Sequence, residues 1–325
     1  MKMKKPTFVC MRGLVIKSTG KWYKVLLDSG QTVNASIKGK FRLKGLRTTN
    51  PIAAGDYVEV QAVKSNEEEL FIISAIEERK NYIVRKSTNL SKQIQIIAAN
   101  VDRVYLLVTL RSPVTQIAFI DRFLVAAESF RIPITILFNK IDLYKADESQ
   151  KLKELMNMYE KIGYSCHQIV AEEENSIDFL KGDIKNKKVM ISGNSGVGKT
   201  TLVNTLDPDL KLRVGEISSA HEQGKHTTTF SEMHPIKSGG FIIDTPGIRA
   251  FGLVDLEKEH YAHYFPEMRS LMGRCKYNNC VHLNEPDCAI KLAVDQGSIY
   301  ESRYITYLQL MNEDQSDPHR RNEFK

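Results

Sequence analysis

Short apolar runs separated by turn residues make up the N-terminal part of the chain. Four such runs lie at residues 9–16, 22–27, 31–35 and 57–63. Glycine, serine, aspartate and proline mark the turns between them. About five short strands within roughly seventy residues predict a small all-β barrel, and the OB-fold is the natural candidate.

From about residue 83 the pattern changes to buried apolar runs that alternate with amphipathic stretches. The runs predict strands at residues 104–107, 133–138, 167–171, 188–192 and 239–243. The amphipathic stretches predict helices at residues 116–130, 149–162 and 177–180. This alternation predicts a doubly wound sheet of parallel strands. A further helix is expected after residues 298–301, whose Ser-x-x-Glu pattern resembles a capping box.

A glycine-rich loop connects the strand predicted at 188–192 to the start of a helix. It consists of Gly193, Asn194, Ser195, Gly196, Val197, Gly198, Lys199 and Thr200, and Thr201 follows it. This is the G-x-x-x-x-G-K-[ST] pattern, whose backbone N–H groups wrap around a polyphosphate. We expect Lys199 and Thr200 to act in catalysis, the lysine at the β- and γ-phosphates and the threonine hydroxyl on Mg²⁺. A glycine-rich turn without a ligand is the alternative, and the strand–loop–helix context argues against it.

A second motif, Asn139-Lys140-Ile141-Asp142, directly follows another predicted strand. It matches N-K-x-D, in which the Asp142 carboxylate accepts hydrogen bonds from N1–H and the 2-amino group of guanine. Adenine lacks this pair of donors, so ATP would leave a buried carboxylate unpaired and be rejected. On its own, a motif this short also arises by chance.

A third motif, Asp244-Thr245-Pro246-Gly247, follows the strand predicted at 239–243. It matches D-x-x-G, in which Asp244 supports Mg²⁺ and the Gly247 N–H contacts the γ-phosphate. All three motifs follow predicted strands, at the edge where α/β sheets bind nucleotides. Together they predict a GTPase.

The order of the motifs predicts a circularly permuted domain. Asn139 lies 54 residues before Gly193, whereas N-K-x-D comes last in an ordinary GTPase.

Three of the five cysteines lie in one short segment near the C-terminus. Cys275, Cys280, His282 and Cys288 follow the spacing C-x4-C-x-H-x5-C. Three sulfurs and one imidazole are the number and kind of ligands that a structural zinc ion takes. A disulfide is disfavoured in a reducing cytosol. Cysteines that bind no metal are the remaining alternative.

Composition and charge limit the expected location and partners of the protein. Of 325 residues, 42% are hydrophobic and 26% are charged, as in an ordinary soluble protein, and no apolar run approaches the length of a membrane span. We therefore expect a cytoplasmic monomer without a membrane anchor. The net charge is +7, yet residues 1–50 alone contribute +11, which suggests a polyanionic partner such as RNA. A solvated basic face is the alternative explanation of this charge. Basic and aromatic side chains interleave at residues 38–44, a pattern that suits RNA binding, and solvated lysines are the alternative there too.

The order of a basic small barrel, a permuted GTPase and a C-x4-C-x-H-x5-C segment resembles the RsgA family of small ribosomal subunit biogenesis GTPases. The resemblance covers essentially the whole chain, and residues 224–229 and 244–252 carry it together with the motifs above. It implies an OB-fold, a permuted GTPase domain, zinc, and a late role in maturation of the small ribosomal subunit. It also implies contact with rRNA, binding of GTP and GDP, and hydrolysis that the ribosomal particle stimulates and that drives release.

Two positions depart from the usual GTPase pattern. Ile248 stands where many GTPases carry a glutamine that orients the attacking water, so slow unaided turnover is expected. Val170 and Ala171 stand where a serine–alanine pair contacts guanine. His226, which precedes three threonines, is the candidate replacement for the glutamine, and Thr228 or Thr229 would complete the Mg²⁺ coordination. A loop histidine that contacts RNA, or nothing, is the alternative.

These observations predict a multidomain chain. We expect an all-β OB-fold RNA-binding domain at residues 1–76, an α/β P-loop GTPase domain at 77–252 and a small α-helical zinc-binding domain with a polar tail at 253–325. The leading functional prediction is an assembly factor that docks on the small subunit with GTP bound and leaves after hydrolysis. Two alternatives stay open: a GTP-gated RNA-binding protein acting elsewhere in translation, and an ATP-using P-loop enzyme, which only Asn139–Asp142 contradicts.

Overall fold

The computed structural model describes residues 10–37, 51–65, 68–86, 94–211, 231–244 and 257–313. The chain forms two compact units and passes between them several times. The first unit contains the described parts of residues 1–103, 177–191 and 200–247, and the second contains those of residues 104–176, 192–199 and 248–325. The domain limits at residues 76 and 252 stay a prediction.

Five strands of the first unit close into a small barrel. They are β1 (Cys10–Ser18), β2 (Tyr23–Leu27), β3 (Thr32–Ile37), β4 (Tyr57–Ser65) and β5 (Glu68–Ile76). The order β1-β2-β3-β5-β4 is closed by antiparallel pairing of β4 with β1, and β3 pairs with β5 in parallel. Alternate side chains such as Tyr23, Val25 and Leu27 are buried in the barrel interior. This arrangement confirms the predicted OB-fold.

The other strands and the helices of the described residues follow in chain order. The strands are β6 (Tyr82–Lys86), β7 (Ile94–Ala99), β8 (Arg103–Val108), β9 (Ile134–Asn139), β10 (Ser165–Ile169), β11 (Lys188–Ser192), β12 (Glu232–Pro235) and β13 (Phe241–Asp244). The helices are α1 (Ile117–Ser129), α2 (Ala146–Ile162), α3 (Glu174–Ile184), α4 (Lys199–Leu206), α5 (Pro266–Arg269), α6 (Ala289–Asp295) and α7 (Glu301–Asn312). Among the described residues, none of the helices is both long enough and apolar enough to cross a bilayer.

A mixed sheet in the first unit continues directly from the barrel. β11 and β13 are parallel, and β12 pairs antiparallel with β13 on one side and with β1 on the other. At the junction Lys17 of β1 faces Glu232 of β12, and the Lys17 Nζ lies 2.5 Å from the Glu232 carboxylate. β6 and β7 form an antiparallel hairpin in the same unit. The sequence patterns predicted neither this hairpin nor β12.

The second unit contains three parallel strands in the order β10-β9-β8. Every residue of β9 is buried, and in β8 all residues after Arg103 are buried. Continuous apolar runs of this kind are expected where helices cover both faces of a parallel sheet. The predicted strands and helices of this region are confirmed, with ends that differ by a few residues.

The C-terminal helices of the second unit share one core with α1. Val125 of α1 lies in one buried cluster with residues of a 3₁₀ segment (Lys258–Tyr264), of α5, of α6 and of α7, and with Phe265, which lies between the 3₁₀ segment and α5. The helix predicted after Ser298 is present, but its N-cap is Tyr300 and no side chain caps it. The prediction of a capping box was therefore wrong: the helix begins two residues later than the Ser-x-x-Glu pattern implies.

A fully buried arginine joins α7 to α1 and to α5. Arg303 lies with its Nη1 3.0 Å from Asp121 Oδ1 and its Nε 2.6 Å from Glu267 Oε1, and its guanidinium stacks on the ring of Phe265. Burial raises the pKa of Asp121, and the charge of Arg303 opposes that rise. Because a buried charge without its partner is costly, losing either partner of such a pair typically destabilises a protein by about 3–5 kcal/mol.

Candidate nucleotide site and metal cluster

The predicted base-reading motif lies at the carboxyl edge of the parallel strands in the second unit. β9 ends at Asn139, and Ile141 to Leu143 form a 3₁₀ turn directly after it. The side chain of Asp142 on this turn is exposed, so its carboxylate is accessible to a ligand. The first seven residues of the P-loop, Gly193 to Lys199, belong to the same compact unit. The structure thus places the two predicted motifs in one unit.

The side chain of Asn139 ties the P-loop to the end of β10. Its Nδ2 donates to the carbonyl oxygen of Val197 at 2.7 Å, and its Oδ1 accepts from the N–H of Ala171 at 2.9 Å. Only 1% of Asn139 is exposed. A buried amide that satisfies two backbone groups in two different loops fixes the distance between them.

Lys140 makes a second connection between the motif and the P-loop. It adopts the left-handed conformation, with a φ of 63°, which turns the chain away from the strand. Its Nζ donates to the carbonyl oxygen of Gly196 at 2.9 Å and to that of Ser112 at 2.5 Å. The lysine therefore holds three segments together: the N-K-x-D turn, the P-loop and the loop after β8.

Two glycines of the P-loop occupy positions that other residues could not. Gly193 and Gly198 have φ values of +142° and +104°. A Cβ on Gly193 would lie 2.3 Å from the carbonyl oxygen of Leu107, and one on Gly198 would lie 2.4 Å from Asn139 Nδ2. In the structure the need for glycine at these two positions comes from the backbone conformation and from the neighbouring Leu107 and Asn139.

The P-loop lysine and threonine lie at the start of α4. The Lys199 Nζ donates to the carbonyl oxygens of Gly193 and Asn194, at 2.9 Å and 2.7 Å, so the ammonium group lies over the loop. Thr200 is buried as the second residue of the helix, and Thr201 is partly buried. The phosphate contact predicted for Lys199 and the magnesium contact predicted for Thr200 stay predictions.

Several predicted site residues lie outside the described part of the chain. They are Gly247, Ile248, His226 and the other residues of 224–229, together with the side chain of Asp244. The roles assigned to them from the sequence stay predictions.

Three further side chains at this edge of the sheet were not singled out from the sequence. Tyr144 contacts the backbone at Asn139 and Leu110, Ser176 Oγ accepts from the Val170 N–H at 2.8 Å, and Thr115 Oγ1 accepts from the Thr109 N–H at 3.1 Å. All three satisfy backbone groups at strand ends. A lone tyrosine, serine or threonine has no sequence pattern that would reveal this.

The four predicted metal ligands come together in the second unit. The side-chain nitrogen and sulfur atoms of Cys275, Cys280, His282 and Cys288 all lie within 4.8 Å of one another and can hold a metal ion. His282 Nδ1 lies 3.6, 3.3 and 3.4 Å from the sulfurs of Cys275, Cys280 and Cys288, respectively. Burial, together with the neighbouring thiols, raises the pKa of Cys280 to about 12. A bound cation would reverse this shift, because it is the thiolate that ligates metal.

Side chains around the cluster hold the backbone that carries His282. The hydroxyls of Tyr304 and Tyr307, both on α7, donate to the carbonyl oxygens of His282 at 2.7 Å and Val281 at 2.6 Å. The Glu285 carboxylate accepts from the N–H groups on both sides of His282, those of Val281 and Leu283. These contacts fix the direction in which the imidazole points, as expected of residues that support a metal ligand.

The OB barrel and the order of the nucleotide motifs define the class of this protein as a circularly permuted P-loop GTPase. Among solved structures it is similar to YjeQ from Thermotoga maritima, with a TM-score of 0.75 and 33% identity over 93% of this chain and 98% of that one. It is also similar to YloQ, described as a circularly permuted GTPase, with a TM-score of 0.70 and 28% identity over 95% and 96% of the two chains.

The chain belongs to the RsgA GTPase family. The family model for the RsgA GTPase matches residues 76–254, and the one for the RsgA N-terminal domain matches residues 12–69. A small ribosomal subunit biogenesis GTPase RsgA from Bacteroides fragilis is 50% identical over 95% of this chain and 99% of its own length. The protein of that name from Christiangramia forsetii is 47% identical over 97% of this chain and 100% of its own length. The predicted family and GTPase activity are confirmed.

We predict that Asn139→Ala weakens binding of GDP at least tenfold. The substitution removes two hydrogen bonds and leaves the Val197 carbonyl and the Ala171 N–H unpaired, at a cost of about 1–3 kcal/mol for each group. Isothermal titration calorimetry measures the affinity. Asn157→Ala, at an exposed position in α2, is the matched control and should bind like the wild type. Equal affinities for both variants would show that the Asn139 cross-link does not shape the site.

Proposed function

We propose that the chain is a GTP-hydrolysing factor that binds the small ribosomal subunit and its rRNA and assists late maturation of that subunit. The observation that carries the proposal is the similarity, close to 50% identity over nearly the full length of both chains, to proteins named for small ribosomal subunit biogenesis. The particle stimulates hydrolysis, and hydrolysis drives release. The protein acts in the cytoplasm as a monomer.

In this proposal GTP binds across the P-loop and the N-K-x-D turn. The backbone of Gly193 to Lys199 cradles the phosphates, and the steric demand at Gly193 and Gly198 supports this because a bulkier loop could not form the cradle. Lys199 meets the β- and γ-phosphates in place of its present carbonyl partners. Asp142, exposed on its turn, accepts from guanine, and Asn139 and Lys140 hold that turn against the P-loop.

Magnesium accompanies the nucleotide in the proposed site. Thr200 and Asp244 would hold the ion, which neutralises charge on the phosphates when bound. Gly247 contacts the γ-phosphate, and Ile248 beside it offers no hydrogen bond to the attacking water. We therefore assign orientation of the water to His226. Unaided turnover is slow in this scheme, and the ribosomal particle is needed to place the histidine.

The four clustered ligands hold one structural zinc ion in this proposal. A tetrahedral ion, with bonds of about 2.3 Å to sulfur and about 2.05 Å to nitrogen, separates two sulfurs by about 3.8 Å and sulfur from nitrogen by about 3.6 Å. The corresponding separations here are 3.9 Å between the sulfurs of Cys275 and Cys288, and 3.3–3.6 Å from His282 Nδ1 to the sulfurs. The donor set and its spacing support zinc.

Contact with rRNA is assigned to the barrel and its basic flanking segment. Residues 1–50 carry a charge of +11, and phosphate contacts are the usual role of such an excess. The five-stranded OB-fold is a common scaffold for binding oligonucleotides.

The proposal predicts that purified small ribosomal subunits raise the kcat for GTP hydrolysis at least tenfold. The reason is that Ile248 offers no hydrogen bond to the attacking water, so in this proposal the particle has to place His226. Turnover is measured by phosphate release with small subunits, with large subunits and with neither. Two results together would favour an RNA-binding protein for which hydrolysis is incidental. Neither particle would stimulate turnover, and the protein would bind small subunits equally with a GTP analogue and with GDP.

The same assay tests the role of His226. His226→Ala should remove the stimulation and leave the affinity for GDP unchanged, because the histidine acts on the water and not on the nucleotide. An unchanged stimulated kcat would exclude His226 from the mechanism.

The zinc assignment predicts one zinc ion per chain in the wild type and a loss of most of it in Cys288→Ser. Hydroxyl oxygen is a much poorer ligand than thiolate, so one lost sulfur opens the site. Elemental analysis of the purified proteins measures the metal. Cys10→Ser, at an exposed cysteine outside the cluster, is the control and should keep its zinc.

A chelator should unfold the C-terminal helices while GDP still binds. Wild-type protein without zinc would contradict the assignment.

A further inference from the structure

Tyr144 is the first residue after the 3₁₀ turn that carries Asp142, and its hydroxyl makes two backbone hydrogen bonds. It donates to the carbonyl oxygen of Asn139 at 2.7 Å and accepts from the N–H of Leu110 at 2.8 Å. Leu110 follows β8, and Asn139 is the last residue of β9. One side-chain oxygen therefore lies between the ends of two neighbouring strands.

The register of β8 and β9 shows which position this oxygen occupies. The two strands are parallel, with Val104 opposite Ile134 and Val108 opposite Phe138, and the Val104 N–H donates to the carbonyl oxygen of Pro133. In a parallel ladder this bond recurs at every second residue, so the next one past the end of β8 would join the Leu110 N–H directly to the Asn139 carbonyl oxygen. The Tyr144 hydroxyl is inserted into that bond and takes both partners.

The insertion sets the width between the two strand ends. A direct N–H···O bond would bring the nitrogen and oxygen to about 2.9 Å, whereas two bonds through a tetrahedral hydroxyl oxygen hold them about 4.5 Å apart. Burial raises the pKa of Tyr144, so the hydroxyl keeps its proton at neutral pH and can donate to Asn139 at the same time as it accepts from Leu110.

The segments that Tyr144 separates are those that Lys140 joins. The loop after β8 includes Ser112, whose carbonyl oxygen accepts from Lys140 Nζ, and that nitrogen also donates to the P-loop at Gly196. An ion pair between Arg111 and Glu148 of α2, with 3.0 Å between Arg111 Nε and Glu148 Oε1, is a further tie on this loop. A change in the spacing at Asn139 would therefore move the base-reading turn relative to the loops that face it.

We propose that Tyr144 is a positioning residue for the guanine base. Its hydroxyl fixes the separation between the loop after β8 and the Asn139–Asp142 turn, and so determines how well the Asp142 carboxylate meets the N1–H and 2-amino donors of guanine. This inference rests on the proposed function, in which that turn reads guanine. Tyr144 does not touch the phosphates or the reacting atoms in this scheme.

The test is Tyr144→Phe, which removes the hydroxyl and keeps the ring. Affinities for GDP and for inosine diphosphate, which lacks the 2-amino group, are measured by isothermal titration calorimetry. Without the hydroxyl, the two strand ends either move together or leave the Leu110 N–H and the Asn139 carbonyl unpaired. We therefore expect GDP affinity to fall about tenfold. The ratio of GDP to inosine diphosphate affinity should fall about fivefold, because the misplaced carboxylate gains less from the 2-amino group.

Tyr164→Phe is the matched control. Tyr164 is buried, whereas Tyr144 is partly buried. Within the described residues the Tyr164 hydroxyl has no hydrogen-bond partner, and Tyr164 precedes β10 at the end of the strand away from Ala171. The Tyr164→Phe substitution should leave the affinities for GDP and inosine diphosphate, and their ratio, unchanged. Both variants should unfold within a few degrees of the wild type, since the phenyl ring preserves the packing.

The outcomes separate this inference from the proposed function. A Tyr144→Phe protein whose affinity ratio equals that of the wild type would overturn the positioning role, even if its overall affinity were lower. A wild-type protein that binds ADP as tightly as GDP would contradict the guanine-reading turn itself, and the inference with it.

Discussion

The predicted nucleotide-binding edge of this GTPase depends on the buried side chain of Asn139. A single carboxamide donates to the P-loop at Val197 and accepts from the end of β10 at Ala171, so its two polar ends belong to two different loops. Its burial makes both bonds obligatory, because an unpaired amide in the interior is costly. The requirement for glycine at position 198 follows from the same side chain, which leaves no room for a Cβ. Asn139 therefore holds the P-loop, predicted to bind phosphate, in a fixed position relative to the turn predicted to read the base.

A second constraint acts on the C-terminal part of the second unit. The buried guanidinium of Arg303 binds carboxylates from α1 and α5 and stacks on Phe265. These contacts fix the position of α7. The same helix carries Tyr304 and Tyr307, whose hydroxyls hold the backbone on either side of the predicted metal ligand His282. The helix that is anchored to α1 by charge is thus also the helix that supports the cysteine–histidine cluster.

The sequence predicted features that repeat or that follow a strict chemical pattern. Alternating runs identified the barrel, continuous apolar runs identified the buried strands β8 and β9, and ligand spacing identified the Cys275–Cys288 cluster. It could not predict contacts that depend on register. The role of the Tyr144 hydroxyl depends on which N–H after β8 faces which carbonyl of β9, and the pairing of β12 with β1 depends on a single facing pair, Lys17 and Glu232. Neither leaves a pattern along the chain.

We propose that the Asn139–Asp142 turn, held against the P-loop, selects guanine nucleotides. It is tested most directly by the nucleotide preference of Asp142→Asn, compared with Asp147→Asn at an exposed position in α2. An asparagine amide can donate to the 2-oxo group of xanthine, where aspartate accepts from the 2-amino group of guanine. We expect Asp142→Asn to bind xanthosine diphosphate at least tenfold more tightly than GDP, while the wild type and Asp147→Asn prefer GDP. An unchanged preference for GDP in Asp142→Asn would contradict it.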